Sequence, residues 1–385
     1  MTKQQQQQKK TKQPQIQKPL VEMRYADELA ALRASDCGPK PANWQLSPRA
    51  VRAFILGQEE PIRHAGREVR ISAKFLGDDA LVERAIVTLA GNRGLMLVGE
   101  PGTAKTMLSE LLAAAISGVS TNTVQGTAGT SEDNIKYSWN YAMLLAKGPV
   151  REALVPSPVH VGMQRGILTR FEEITRCPLE IQDSLISILS DRVMHIPELG
   201  EDEAEGGVLF AAPGFNVIAT ANTRDRGINE MSSALKRRFN FETVDPIRSV
   251  ALERRIIRDQ CQEMFATSGL KLDVQEDVVE LLASTFNELR HGVSSEQVKI
   301  QRLSGVMSTA EAVSVYYQSA LEGYYYGDGT VSTGAVVRNL LGAVVKENRE
   351  DLPLLKEYFN RAVRLKAEKH GGKWKEYYEN RTWLK

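Results

Sequence analysis

Cysteine is scarce in this chain, with three in 385 residues. Cys37, Cys177 and Cys261 lie far apart, and no Cys-x-x-Cys occurs. This excludes a disulfide-stapled fold and a zinc knuckle, and it points to a reducing compartment, the cytoplasm. The five histidines are scattered without metal-ligand spacing. No apolar run approaches the ~18 residues that a membrane-spanning helix needs. The start, "MTKQQQQQKKTKQPQIQKP", lacks the apolar centre of a signal peptide. Charge of one sign is missing too. The net value is +1 at pH 7, so the chain as a whole has no electrostatic hold on nucleic acid or a membrane surface, although a local patch stays open.

What remains is an ordinary globular mixture, 42% hydrophobic and 25% charged. Since single cores stop growing at ~250–300 residues, a chain of this length implies two or three domains. Residues 1–19 are Gln/Lys-rich and read as a disordered tail. Residues 20–74 read as a helical extension: "LVEMRYADELAALRASD", then a Pro/Gly break, then a helix around "RAVRAFILGQ". Residues 78–92 form an amphipathic helix. Then "RGLMLVGE" (93–100), "GILTRF" (166–171) and "FNVIATA" (215–221) are short continuous apolar runs of the kind that form strands buried on both faces. Helical patterns such as "TMLSELLAAAI" and "CPLEIQDSLISILSD" alternate with them, which predicts an α/β fold with a parallel sheet over residues 75–247. From about Ser249 the strands stop and four helical stretches follow in a row, so residues 248–385 read as an all-helical domain.

"VGEPGTAKT" (98–106) joins the first strand to a helix. A strand, a glycine-containing loop and Lys-Thr at a helix start form a phosphate-binding loop. Backbone N–H groups cradle phosphates, the helix dipole adds positive potential, and the lysine reaches the outer phosphates. Gly99, Glu100, Pro101, Gly102, Thr103, Ala104, Lys105 and Thr106 are therefore the candidate nucleotide-binding residues. Ala104 stands where a glycine is usual, and its methyl group demands a backbone that tolerates Cβ.

A loop of this class needs a second strand ending in acids. The first acid holds Mg²⁺, usually through water, and the second polarises the attacking water. "ILTRFEE" supplies both: Glu172 as the magnesium acid, with Thr106, and Glu173 as the catalytic one. Two features are unusual. Glu172 is one methylene longer than the usual Asp, and Thr169 and Arg170 put polar groups in a strand expected to be buried.

Together these motifs resemble the AAA+ ATPases, and within them the MoxR family. The likeness runs from about Phe75 to Pro246 and weakens over the helical lid. "GEPGTAKT" is similar to the family's phosphate loop, "VQGTAGTSEDNI" to the segment after its second strand, and "FEEITRCPLEIQDSLISILSDR" to its acid pair with the following Arg176 and helix. "GFNVIATANT" resembles its sensor-1 strand and "SSALKRRFNFE" the stretch with its arginine finger. The resemblance implies that Asn222 lies beside the γ-phosphate and orients the water. It implies that Arg238, with Arg237 as competing candidate, is a finger donated to a neighbour's nucleotide, and hence that the protein forms a hexameric ring. It implies ATP and Mg²⁺ as cofactors, and remodelling of a protein client or insertion of a metal cofactor as the work done. It also implies a partner bearing a von Willebrand factor A domain. The family's sensor-2 arginine is missing: "QRLSGVMSTAEAV" (301–313) has no Arg after Ser304, and Arg302 is wrongly spaced.

Two segments invite other readings. "KYSWNYA" (136–142) puts Tyr137, Trp139 and Tyr141 on one face if extended, either facing a ring axis or packing on the core. "ELGEDEAEGG" (198–207) reads as an acidic hairpin tip, which would repel phosphates and counts against a nucleic-acid motor on the same core. A nucleotide-gated scaffold that hardly hydrolyses is the other alternative, supported by Glu172, Arg170 and the missing sensor-2 arginine.

Overall fold

The computed structural model describes residues 17–200, 207–222, 229–346 and 348–385. Most of the expected tail and most of the acidic tip lie outside the described residues. The centre is a five-stranded parallel sheet: β1 (Gly94–Gly99), β2 (Thr123–Gln125), β3 (Leu168–Glu172), β4 (Asn216–Asn222) and β5 (Phe239–Thr243), in the order β5-β1-β4-β3-β2. The register aligns Asn222 with Gly99 and Gln125 with Glu172, so the strands deliver their C-terminal residues to one edge.

The continuous apolar runs follow from burial on both faces. Alternate residues enter different cores: Leu95, Leu97 and Ile218 join one cluster, while Met96, Val217 and Ala219 join another. The first cluster is completed by the N-terminal segment. Leu29 and Leu32 of α1 (Ala26–Ser35), Trp44, Leu46, and Phe54 and Ile55 of α2 (Pro48–Leu56) pack with α3 (Asp79–Ala90) and α4 (Lys105–Ser117) over that face. Each fully buried Leu, Ile or Phe contributes roughly 1.5–3 kcal/mol, so this segment is a layer of the core. Pro48 opens α2 behind Ser47, whose side chain accepts from the Ala50 amide, and Asp78 caps α3 in the same way.

The segment expected to be a helical extension also contains a β-hairpin, Ile62–His64 with Arg67–Val69. Its turn residues Ala65 and Gly66 both have positive φ (50° and 78°), the backbone of a tight two-residue turn. Ala-Gly is not the Asn-Gly that announces such a turn, and three-residue strands carry too little alternation to be read. Further hairpins are formed by Tyr137–Trp139 with Leu154–Pro156 and by Val193–His195 with Val208–Phe210. Tyr137 and Trp139 do share the strand, with rings 6.0 Å apart, but Tyr141 departs from it and starts a short helix, Tyr141–Lys147.

After Thr243 the described chain contains only helices and one isolated bridge. α5 (Val250–Thr267), α6 (Glu276–His291), α7 (Thr309–Tyr326), α8 (Thr333–Val344), α9 (Asp351–Tyr358), α10 (Arg364–His370) and α11 (Gly372–Glu379) close over a third core around Ile257, Phe286, Tyr316, Leu340 and Phe359. Ser249, Ser308 and Ser332 cap their helices, and Ser308 forms a full capping box with Glu311.

Candidate nucleotide site

The loop after β1 turns sharply into α4. Gly102 has φ +77°, and a Cβ there would lie 2.3 Å from the Cβ of Ser308, the N-cap of α7. Only glycine fits this close approach of lid and loop. Ala104 also adopts the left-handed conformation (φ 69°, ψ 21°), which costs an alanine roughly 1–2 kcal/mol. The methyl group is tolerated in a conformation that glycine takes freely.

Lys105 opens α4 and is buried. Its Nζ donates to the Gly99 and Glu100 carbonyl oxygens, 3.1 and 2.7 Å away. Thr106 beside it is exposed, and its hydroxyl donates to Glu172 Oε2 at 2.9 Å. Glu172, at the end of β3, is almost fully buried. Besides Thr106 it accepts from Ser109 (2.7 Å, on Oε1), Thr220 (2.8 Å, on Oε2) and Arg170 (2.7 Å, on Oε1). A hydroxyl and a carboxylate oxygen this close form a hard-oxygen pair suited to Mg²⁺, which typically takes one or two protein ligands and shares the rest with phosphates and water. Among the described residues no cluster of His, Cys, Asp and Glu offers a separate metal site.

Glu173 follows in the left-handed region (φ 56°, ψ 43°). The sharp turn directs its carboxylate toward β4, where Asn222 Nδ2 donates to Oε1 at 2.8 Å. Arg176 Nε lies 3.5 Å from Oε2. Backbone strain in a non-glycine residue beside a phosphate loop fits a side chain held for chemistry.

The fold therefore brings Gly99–Thr106, Glu172, Glu173 and Asn222 together at the C-terminal ends of β1, β3 and β4. Arg238 lies elsewhere. It precedes β5, and its carbonyl oxygen accepts from the Gly94 amide, at the other end of β1 from Gly99. Five residue steps along the strand separate the two ends by ~17 Å. Its guanidinium donates to Ser190 Oγ at 2.7 Å. Arg302 packs against Gly292. The lid residue at the phosphate loop is Ser308. Ser109 and Thr220, which complete the hold on Glu172, escaped the sequence reading. Their signals were slight: a serine in an apolar helix and a threonine inside "VIATA".

Residues 94–239 match the AAA domain (dynein-related subfamily), and residues 251–385 the YehL-like AAA+ ATPase C-terminal domain. The Escherichia coli (strain K12) protein YehL is 48% identical over 366 residues, which is 95% of this chain and 97% of that one. Chaperone MoxR1 of Mycobacterium tuberculosis is 28% identical over 210 residues, covering 52% of this chain and 50% of that one. Among solved structures, NtrX from Brucella abortus with ADP is 13% identical at a TM-score of 0.45, covering 80% of this chain and 69% of that one. A point mutant of Thermotoga maritima RuvB is 17% identical at the same TM-score, 0.45, covering 81% and 88%. The assignment rests on the sequence relatives: the chain belongs to the YehL-like AAA+ ATPases, a group of MoxR type.

Proposed function

We propose that the protein hydrolyses ATP with Mg²⁺ in a ring of identical subunits and uses the cycle to remodel a protein client, as a chaperone or an inserter of metal cofactors. One observation carries the hydrolysis reading: Glu172 and Glu173 at the end of β3 and Asn222 at the end of β4 converge on the phosphate loop, where Thr106, in the first turn of α4, lies beside Glu172. Lys105 exchanges the loop carbonyls for the outer phosphates. Glu173 takes the proton of the attacking water, and Asn222 orients that water. Thr106 and Glu172 would hold the metal, which when bound would supply positive charge to the phosphate oxygens. Arg238 stabilises the transferring phosphoryl group of a neighbouring subunit, since it sits at the far end of its own sheet. A hexamer, a cytoplasmic location and a partner with a von Willebrand factor A domain accompany this reading through the resemblance to MoxR proteins, and the relative named Chaperone MoxR1 supports the remodelling role.

A second reading, a nucleotide-gated scaffold, draws on the hold that Asn222 and Arg176 have on Glu173. ATP turnover with Mg²⁺ separates the two. Wild type should hydrolyse, Glu173→Gln should bind ATP without turnover, and Lys105→Ala should lose binding. Wild type turning over no faster than Glu173→Gln, with the ring assembled, would establish the scaffold instead.

A further inference from the structure

Arg170 is buried at the middle of β3, on the same face of the strand as Glu172 two residues on. Its NH2 donates to Glu172 Oε1 at 2.7 Å and its Nε to Ser109 Oγ at 2.9 Å. Its NH1 is fixed by the Ser120 carbonyl oxygen (2.7 Å) and Thr123 Oγ1 (3.1 Å). The next carboxylate, Glu110, is 3.8 Å away and partly exposed, so Glu172 is the main counter-ion. A guanidinium is charged at every relevant pH. A carboxylate has about four acceptor positions, and Arg170, Ser109, Thr106 and Thr220 occupy that number here.

Building on the reading of Thr106 and Glu172 as the metal-holding pair, we infer that Arg170 is a resident counter-cation that competes with Mg²⁺ for Glu172 and makes metal binding weak and readily reversible. Two effects oppose each other. Arg170 fixes the rotation of a glutamate with one more torsion than aspartate, which favours the metal. It also places a permanent positive charge against the same carboxylate, which disfavours it. Ordering one torsion is worth a fraction of what a unit charge does to a divalent ion a few ångströms away in a buried setting. Charge therefore decides, and removing Arg170 tightens metal binding. The longer Glu172 is part of the same device: its carboxylate spans from the guanidinium on Oε1 to Thr106 on Oε2.

The test is a Mg²⁺ titration of the full-length protein with a fluorescent ADP analogue bound, reading nucleotide affinity against free Mg²⁺. Arg170→Gln keeps a donor for Oε1 but no charge, Arg170→Met removes both, and Arg170→Lys keeps the charge. The half-saturating Mg²⁺ should fall ~tenfold or more in the neutral variants and stay near wild type in Arg170→Lys. An unchanged or higher value in the neutral variants overturns the inference and leaves Arg170 a structural ion-pair partner. Glu172→Gln with Arg170→Gln, which strands no buried charge, provides an arm that does not depend on the single Arg170 variants folding. It should bind Mg²⁺ ~tenfold or more tightly than Glu172→Gln alone, and no difference between the two overturns the inference. Wild type that binds nucleotide with no dependence on Mg²⁺ refutes the metal-site reading itself, a separate outcome.

Discussion

Arg290 of α6 ties the lid to the segment that leads into it. Its guanidinium donates to the Met307 carbonyl oxygen (2.6 Å), the Ile247 carbonyl oxygen (2.9 Å) and Glu253 Oε1 (2.6 Å). Glu253 is fully buried in α5 and also accepts from Thr309 Oγ1 at 2.9 Å. One residue thus joins α5, α6, the start of α7 and the chain that enters the lid. Arg290→Met keeps most of the volume and removes every donor. It leaves the Glu253 charge with only neutral partners. Breaking one side of a buried pair costs ~3–5 kcal/mol, a large share of the ~5–15 kcal/mol that holds a domain together. Replacing both partners, as in Arg290→Met with Glu253→Leu, removes the stranded charge. The two carbonyls still lose a donor, so the double variant remains less stable than wild type. Yet its cost should fall short of the sum of the single costs by ~2 kcal/mol or more. Urea unfolding reports this as a lower midpoint at constant slope, followed through Trp374 and Trp383 in the lid and checked by amide exchange. A loss below ~1 kcal/mol for Arg290→Met, or a strictly additive double variant, would refute the argument that an unpaired buried charge dominates.

Gly102→Ala should weaken fluorescent-nucleotide binding at least ~tenfold, through ~1–2 kcal/mol of backbone strain and the 2.3 Å clash with Ser308. Adding Ser308→Gly should recover part of that loss, and no recovery would mean that the lid contact is immaterial. Burial first, and the charge of Arg151 second, hold the buried His160 below its ordinary value of 6.5. The unfolded chain therefore binds more protons below that pH. Stability should be level above pH ~6.5 and fall below it by at most ~1.4 kcal/mol per pH unit, and His160→Gln should flatten the fall in acid-unfolding curves. Burial raises the Cys177 thiol and pushes that of Cys261 up to about 12, while Cys37 is exposed. A thiol reagent at pH 8 should modify Cys37 alone in the native protein and all three cysteines only after unfolding, and a second fast thiol would contradict the packing.

The parts of this protein written in contiguous residues were legible in the chain alone. "VGEPGTAKT" specifies a phosphate loop because turn, helix start and lysine are neighbours in the chain. "FEE" and "ATAN" mark strand ends because an apolar run stops at a polar group. The four helical stretches in a row from about Ser249 announce a helical domain for the same local reason. Features that join residues far apart in the chain emerged only with the fold. Arg170 stood out only as a polar group in a strand expected to be buried, and Ser109 and Thr220 gave slight signals; they become one hold on Glu172 when β3, α4 and β4 pack side by side. The lid residue at the phosphate loop is Ser308, because the packing of α5, α6 and α7 sets which lid end meets Gly102. Arg238 lies at the far end of its own sheet because strand register, which no local pattern encodes, fixes which end of β5 meets Gly94. Local propensity chooses the elements; burial and register, set by the whole chain at once, choose which of their side chains meet.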